Sequence, residues 1–155
     1  MKTLILYASK YGATKEIAQR IAAKIEGAVV CDLKQSNIPN IADFDCIIVG
    51  SSVYAGSVRK EAKTFVANNV VPLGEKTVGL FLSGFAVDDK YFATNYPQNL
   101  LNKVKAKAFV GGIFDPKKAN AAERLIIKAV MKQSAYVESI DNDAIDKFVG
   151  GIYAT

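Results

Sequence analysis

Near its amino terminus the chain reads LILYASKYGAT over residues 4–14, which combines an apolar run with a glycine-containing turn. Its apolar part, Leu4–Ala8, lacks alternation between apolar and polar residues, which is typical of a parallel strand covered on both faces. The turn that follows, Ser9–Thr14, brings two hydroxyl side chains and a glycine to the predicted start of an amphipathic helix. A strand, a glycine-containing turn and a helix in this order predict the first unit of an α/β fold.

The rest of the chain repeats this alternation of strand and helix. The predicted strands are Thr3–Ala8, a weaker Ala28–Leu33, Cys46–Gly50, Val78–Ser83 and Ala108–Phe114. The predicted helices are Thr14–Glu26, roughly 58–69, one after Pro97 that contains Leu100, Leu101 and Val104, and Asn142 to about Ala154. Short connections and strict alternation predict one domain over residues 1–155, with a mostly parallel sheet between helices. An extra helical segment, about 119–133, separates the last strand from the terminal helix.

Composition excludes several classes of function. With 155 residues, 50% of them hydrophobic, the chain is long enough for one domain with a substantial core. It contains no histidine, which excludes serine–histidine and cysteine–histidine catalysis and argues against a zinc site. Two cysteines, no secretory signal and no run of 18 apolar residues indicate a cytoplasmic protein without a spanning helix. The chemistry is therefore expected to come from a bound cofactor.

Positive charge is concentrated in one part of the chain. The whole sequence has a net charge of +5, and residues 103–132 contain eight basic and two acidic residues. Such a segment favours an anionic partner, namely a membrane surface, an acidic protein or a polyanion, or else forms a solvated helix face. No nucleic acid is expected, because the segment lacks a binding motif and interleaved aromatic side chains.

The first loop has the parts of a phosphate-binding turn. Hydroxyl groups, a glycine and the unpaired N–H groups of a helix N-terminus together attract phosphate. The loop is neither a Walker A motif nor a GxGxxG turn. An ordinary capped turn that uses Thr14 is the alternative interpretation.

The motif Ser9-x-x-Gly12-x-Thr14 after a hydrophobic strand resembles the opening of flavodoxins. The resemblance implies a five-stranded parallel sheet in the order 2-1-3-4-5, with flavin mononucleotide (FMN) at the switch point between strands 1 and 3. A non-redox module that binds another phosphate ligand on the same fold is a further alternative. The first-loop residues that the resemblance places at FMN are Ser9, Lys10, Tyr11, Gly12, Ala13 and Thr14.

Two further loops complete the site that this resemblance implies. The Tyr54 ring would stack on the flavin, or else is amphipathic cover, and the Gly56 peptide would respond to protonation of the flavin. Arg59 would stabilise reduced flavin or bind an anionic substrate, or else is a solvated residue in the first turn of a helix. The expected cofactor-binding residues of these loops are Ser51, Ser52, Val53, Tyr54, Ala55 and Gly56, then Ser83, Gly84, Phe85 and Asp88.

A narrower resemblance concerns the segment after the fifth strand. Phe114-Asp115-Pro116 and the stretch 124–132 are similar to that segment of menaquinone-dependent protoporphyrinogen dehydrogenases. The resemblance to flavodoxins implies electron transfer through bound flavin to a redox partner protein. The narrower resemblance implies, as the alternative, a protoporphyrinogen dehydrogenase-type enzyme at the membrane surface with quinone as acceptor. In the extra helix, Leu125 is expected on a core-facing stripe. The opposite face is expected to contact an anionic membrane, or to be covered by protein, through Arg124, Ile127, Lys128, Met131 and Lys132.

The predicted sheet order also places the two cysteines. Cys31 falls at the end of strand 2 and Cys46 at the start of strand 3, with strand 1 between them. Two strand spacings exceed the reach of a disulfide, so both are expected to be structural thiols.

Overall fold

The computed structural model describes residues 1–85, 88–115, 117, 118, 120–122, 124, 125, 128 and 137–154. The strands in these parts are β1 (Thr3–Ala8), β2 (Val29–Asp32), β3 (Cys46–Tyr54), β4 (Ser57–Val58), β5 (Thr77–Ser83), β6 (Ala106–Phe109), β7 (Ile113–Phe114) and β8 (Val137–Glu138). The α-helices are α1 (Ala13–Ala22), α2 (Lys60–Asn68), α3 (Val70–Leu73), α4 (Lys90–Asn95), α5 (Gln98–Leu101) and α6 (Asn142–Tyr153), and a 3-10 helix covers Ile41–Asp43.

Five strands form a parallel sheet in the order β2-β1-β3-β5-β6. Counting the parallel strands along the chain, this is the order 2-1-3-4-5 that the resemblance implied, so the α/β fold prediction is confirmed. β1 lies between β2 and β3, with Leu6 opposite both Cys31 and Val49. From β1 the strand order runs in one direction to β2 and in the opposite direction to β3. This reversal creates the switch point, a crevice at the carboxyl edge of the sheet.

Both faces of the sheet are buried, which explains the uninterrupted apolar runs in the sequence. Alternate residues of β1 enter two separate cores: Leu4 and Leu6 pack in one, Ile5 and Tyr7 in the other. The first core is completed mainly by residues of α2, α4 and α5, and the second by residues of α1 and α6.

Helix α1 forms because Ile17 and Ile21 recur on one face and are fully buried. Its N-cap residue, Gly12, has a φ of 98°, a left-handed conformation that glycine adopts without the strain that a Cβ atom brings. The helix therefore begins immediately after a sharp turn at the end of β1.

Several predicted bounds were wrong. The run Ala108–Phe114 is not one strand, because β6 ends at Phe109 and β7 leaves the sheet to pair antiparallel with β8. The helix after Pro97 is only Gln98–Leu101, so Val104 lies outside it, and α4 was not predicted. Strand 3 continues to Tyr54 and forms a hairpin with β4, where a loop was expected from Gly50.

The two cysteines lie as predicted. Cys31 is in β2 and Cys46 begins β3, and both are buried free thiols in different cores. Burial raises the pKa of Cys46 to about 11 and also raises that of Cys31, where Asp32 adds to the effect. Both thiols therefore stay protonated at neutral pH.

The extra helix falls mostly outside the described residues. Ile127, Met131 and Lys132, which were expected on its membrane-facing side, lie outside the described part. Arg124, Leu125 and Lys128 are helical and exposed, so the expectation that Leu125 faces the core was wrong: its exposed fraction is 69%. No helix within the described ranges is long and apolar enough to cross a membrane.

Candidate functional site

A pocket opens at the switch point, where the carboxyl ends of β1, β3 and β5 meet. Its empty volume is about 670 Å³, including open solvent. We call it the switch-point pocket. It is lined by Ser9, Lys10, Tyr11, Ala13, Ser52, Val53, Tyr54, Arg59, Ser83, Gly84, Gly112, Ile113, Phe114 and Asp115.

The first loop is held by its own side chains and by two lysines. The Gly12 N–H donates to Ser9 Oγ over 2.9 Å. Lys34 Nζ donates to the Ser9 carbonyl at 3.1 Å, and Lys118 Nζ is 3.5 Å from the Tyr11 carbonyl. These contacts place ammonium groups on the loop's carbonyl oxygens, next to the first N–H groups of α1, which have no acceptor within the helix. Both features favour an anion at this loop.

Three of the predicted hydroxyl groups, those of Thr14, Ser51 and Ser83, form hydrogen bonds within the protein. Thr14 Oγ1 and Ser83 Oγ form a 2.8 Å hydrogen bond, and both residues are essentially fully buried. The bond ties the start of α1 to the end of β5. Ser51 Oγ accepts from the Arg59 N–H at 2.9 Å and donates to the Ser52 carbonyl. Thr14 and Ser51 therefore support the pocket and do not line it.

The hairpin β3–β4 forms a second wall. Tyr54 pairs with Ser57 across the turn, and Ala55 and Gly56 between them have φ values of 51° and 79°. Two positive φ values are typical of a type I′ turn, which matches the twist of a two-residue hairpin. Ala55 and Gly56 form the turn, while Ser52, Val53 and Tyr54 line the pocket.

Asn95 fixes this hairpin, and no sequence pattern pointed to it. Its Oδ1 accepts from the Val58 N–H at 3.1 Å. Its Nδ2 donates to the Gly56 carbonyl at 3.1 Å and to the Tyr91 carbonyl at 2.8 Å. One side chain at the end of α4 thus holds the turn and the strand β4 that follows it.

Two cations flank Tyr54. The ammonium group of Lys10 lies 5.7 Å from the centre of the Tyr54 ring and 5.2 Å from that of Tyr11, within the range of a cation–π contact. Arg59, half-buried at the start of α2, also lines the pocket. Asp115 is the carboxylate among the lining residues.

Residues 112–115, after β6, form a further wall of the pocket, which we call the fourth wall after those from the first loop, the hairpin and the end of β5. Sequence reasoning missed it. At Gly111, φ is 77°, and a Cβ atom there would lie 1.9 Å from the Ser139 carbonyl oxygen. This close approach lets the Ser139 N–H donate to the Gly112 carbonyl at 2.8 Å, which turns the chain over the pocket. The Gly111-Gly112 pair within the apolar run was the sequence signal that could have indicated this break in the strand. The residues this adds to the pocket are Gly112, Ile113, Phe114 and Asp115.

The third predicted loop joins the site only in part. Ser83 and Gly84 line the pocket, whereas Phe85 and Asp88 are not among its lining residues. Asp88 instead accepts from the backbone N–H of Lys90 at the start of α4.

A neighbouring polar cleft lies beside the first loop and contains an ion-pair group. Arg20 contacts Glu138 at 2.7 Å and Glu16 at 3.0 Å. Hydrogen bonds from Glu138 and then Glu16 raise the pKa of Arg20 above its ordinary value. The group joins α1 to β8, and hence to the segment that forms the fourth wall.

Comparison with known families identifies this arrangement. The family described as "Flavodoxin domain" matches residues 4–141. The chain belongs to the flavodoxin-domain family. The match covers every strand of the parallel sheet and the three loops at its carboxyl edge.

Individual relatives are distant. Protoporphyrinogen IX dehydrogenase [quinone] of Escherichia coli strain K12 is 22% identical over 146 residues, covering 86% of this chain and 81% of that protein. The two-electron reduced flavodoxin of Megasphaera elsdenii is 21% identical with a TM-score of 0.59, over 69% of this chain and 84% of the other. A flavoprotein of Lactobacillus acidophilus in complex with FMN is 18% identical with a TM-score of 0.57, over 70% and 92%. These structural matches show a shared fold.

Proposed function

We propose that this flavodoxin-domain protein binds FMN in the switch-point pocket and transfers electrons through it. The observation that supports this best is the continuity of the site. One pocket is lined both by the loop that leads into α1, whose helix N-terminus suits a phosphate, and by the aromatic ring of Tyr54. A dinucleotide turn and a Walker A loop are both missing from the sequence.

Two features of the protein fit the cofactor. At Gly12, no atom lies within 4 Å of the position that a Cβ would occupy, so the first loop leaves space for a phosphate group. At the other end, the Arg59 Nε atom is buried and has no hydrogen-bond partner within the described part of the chain. A buried N–H group of this kind calls for an acceptor, and a flavin ring has carbonyl and nitrogen acceptors along one edge.

Each wall then has a task. The N–H groups at the start of α1, with the Ser9 hydroxyl, would bind the phosphate, and Lys34 and Lys118 would add positive charge. The Tyr54 ring would cover the flavin, and the backbone of Ser83, Gly84 and Gly112 would border it. FMN, when bound, supplies one- and two-electron redox chemistry, and the protein supplies position and electrostatics. Of the residues expected from sequence, Lys10, Tyr11, Ala13, Ser52 and Val53 stay in this proposal as lining residues, and Gly56 as the turn that carries Tyr54.

Absorbance spectroscopy tests the proposal directly. Purified protein, or cofactor-free protein titrated with FMN, should show flavin bands near ~450 nm and saturable binding. Gly12→Val should abolish binding, because it places a branched side chain at a left-handed φ in the phosphate loop. Gly27→Val is the matched control: Gly27 has a φ of 73° with the same open space around its Cβ position, but lies between α1 and β2. A protein that ignores FMN, or a Gly27 variant that loses FMN equally, would contradict the proposal.

The electron acceptor distinguishes two forms of this function. The first is a carrier that serves a redox partner protein. The second is an oxidoreductase that passes electrons to a quinone, and the similarity to the Escherichia coli dehydrogenase over 86% of the chain favours it. The exposed Leu125 between Arg124 and Lys128 adds an apolar group to a basic surface, as contact with an anionic membrane requires.

These forms separate in one assay. The second predicts menaquinone-dependent oxidation of protoporphyrinogen, with stimulation by anionic liposomes. The liposome effect should be lost in Leu125→Glu and weakened in Leu125→Ala, which removes most of the apolar group. Rapid electron uptake from a reductase without quinone turnover would support the carrier instead. If the wild-type protein does not bind anionic liposomes, the membrane contact is wrong.

A further inference from the structure

We propose that Arg59 raises the two-electron midpoint potential of bound flavin by binding the negative charge that the flavin ring gains on reduction. This inference rests on the proposed function and concerns the charge of the ring end of the pocket. Uptake of two electrons and one proton leaves the flavin ring with one negative charge, and uptake of a second proton makes it neutral. A cation at the ring favours the first state over the second.

Arg59 is placed for this task by backbone contacts alone. Its N–H donates to Ser51 Oγ, and its carbonyl accepts from the N–H groups of Ala62 and Lys63 at 3.1 Å in the first turn of α2. Its side chain extends from this anchored backbone to line the pocket beside Tyr54.

The guanidinium group has no other use in the described structure. It forms no hydrogen bond or ion pair with a described residue, and its Nε atom is buried. Glu61, two residues further along α2, forms no ion pair with Arg59 and does not line the pocket, and its Oε2 atom is likewise buried without a hydrogen-bond partner among the described residues. Buried donors in native proteins are almost always satisfied, so this one indicates an acceptor that enters the pocket.

The charges around the pocket support an anion at this end. Lys10 and Arg59 both line the pocket together with Tyr54, and the Lys10 ammonium group lies 5.7 Å from the centre of the Tyr54 ring. Lys60 and Lys63 line an adjoining cleft that also includes Tyr54 and Arg59 and has no acidic lining residue. Asp115 opposes them from the fourth wall, where its Oδ1 accepts from the Lys117 N–H. The cations therefore outnumber the carboxylate on the Tyr54 side.

The test is potentiometric titration of the FMN-loaded protein with dithionite and a reference dye, over a range of pH. Arg59→Gln should weaken binding of reduced FMN at least tenfold more than binding of oxidised FMN, which makes the midpoint potential about 30 mV more negative. In the wild type, the potential should change by about 30 mV per pH unit around neutral pH, since one proton accompanies two electrons. In the variant, the region of about 59 mV per pH unit, where two protons are taken up, should extend to higher pH.

Two further variants make the result specific. Arg59→Lys keeps the charge and should retain the wild-type pH profile even if it binds both forms of FMN less tightly. Lys105→Gln removes an exposed charge just before β6, at the opposite edge of the sheet, and should leave the potential unchanged. An Arg59→Gln protein that binds FMN with an unchanged potential and pH profile would overturn this inference and leave the proposed function standing. Failure of the wild type to bind FMN would instead overturn the proposed function.

Discussion

The Thr14–Ser83 hydrogen bond offers a quantitative test of how the site is built. Both hydroxyl groups are buried, at 0% and 1% exposure, and they are each other's partner at 2.8 Å. Ser83→Ala leaves the Thr14 hydroxyl buried without a partner, and Thr14→Val does the same to Ser83. Each change should reduce the free energy of unfolding by about 1–3 kcal/mol, the cost of an unsatisfied buried polar group. The double variant, which removes both hydroxyls, should lose clearly less than the sum.

Urea unfolding of the four proteins measures the coupling directly, and we expect roughly 1 kcal/mol or more. Ser57→Ala, which removes an exposed hydroxyl, is a control that should change stability by less than about 0.5 kcal/mol. Losses that simply add, within about 0.3–0.5 kcal/mol, would show that the two hydroxyls do not depend on each other and would refute the reasoning.

The same variants decide what Thr14 does for the cofactor. The resemblance to flavodoxins placed the Thr14 hydroxyl at the phosphate, whereas the structure gives it to Ser83. If the hydroxyl stays with Ser83, the two single variants should lose FMN affinity to similar extents. A loss of FMN affinity at least tenfold larger in Thr14→Val than in Ser83→Ala would show that the Thr14 hydroxyl binds the phosphate.

Three further predictions follow from single residues. Asn95→Ala should cost about 2–4 kcal/mol, because it removes two hydrogen bonds to the hairpin and one to the Tyr91 carbonyl of α4. Faster amide exchange in β4 should accompany this loss, while Asn95→Asp should keep the acceptor and lose less. Cys46 should make the free energy of unfolding fall as pH rises, because its pKa is about 11 in the folded protein against an ordinary 9.0. The stabilisation from its protonated thiol is complete below pH 9 and is lost by about pH 11, a change of roughly 2–3 kcal/mol. Alkaline unfolding curves of the wild type and Cys46→Ala should differ by this amount. Gly12→Ala, milder than the valine change, should still weaken FMN binding severalfold in the titration, since its Cβ keeps the strain at a φ of 98°.

The parallel sheet could be predicted because its signal is local. Each strand of the sheet interior is buried on both faces and therefore requires apolar residues at consecutive positions, as in Thr3–Ala8. Helix α1 is equally readable, since Ile17 and Ile21 repeat at the helical period. The order of the strands came from the resemblance to flavodoxins and not from periodicity, which says nothing about neighbours across a sheet.

The fourth wall could not be predicted because its cause is distant in sequence. Ala108–Phe114 is apolar throughout, as a continuous strand would be. What ends the strand is pairing with residues 137–141, including the bonds from Ser139 to Gly112 and from Asp141 to Val110. Asn95 escaped notice for the same reason: its partner in β4 is 37 residues away along the chain.

The fourth wall links the pocket to the basic segment of the chain. The strands β7 and β8 pair at the two ends of the segment 113–138, whose described residues lie outside the parallel sheet. The first residues of this segment place Ile113 and Asp115 in the pocket. The far end of the segment is bonded to α1 through the ion pair between Arg20 and Glu138, worth about 0.2–1 kcal/mol at this exposure. Lys118, within this segment, contacts the carbonyl of Tyr11 in the first loop. Because the same segment contacts the first loop, lines the switch-point pocket and contains the exposed Arg124, Leu125 and Lys128, a partner that binds this basic surface would contact an element that lines the pocket.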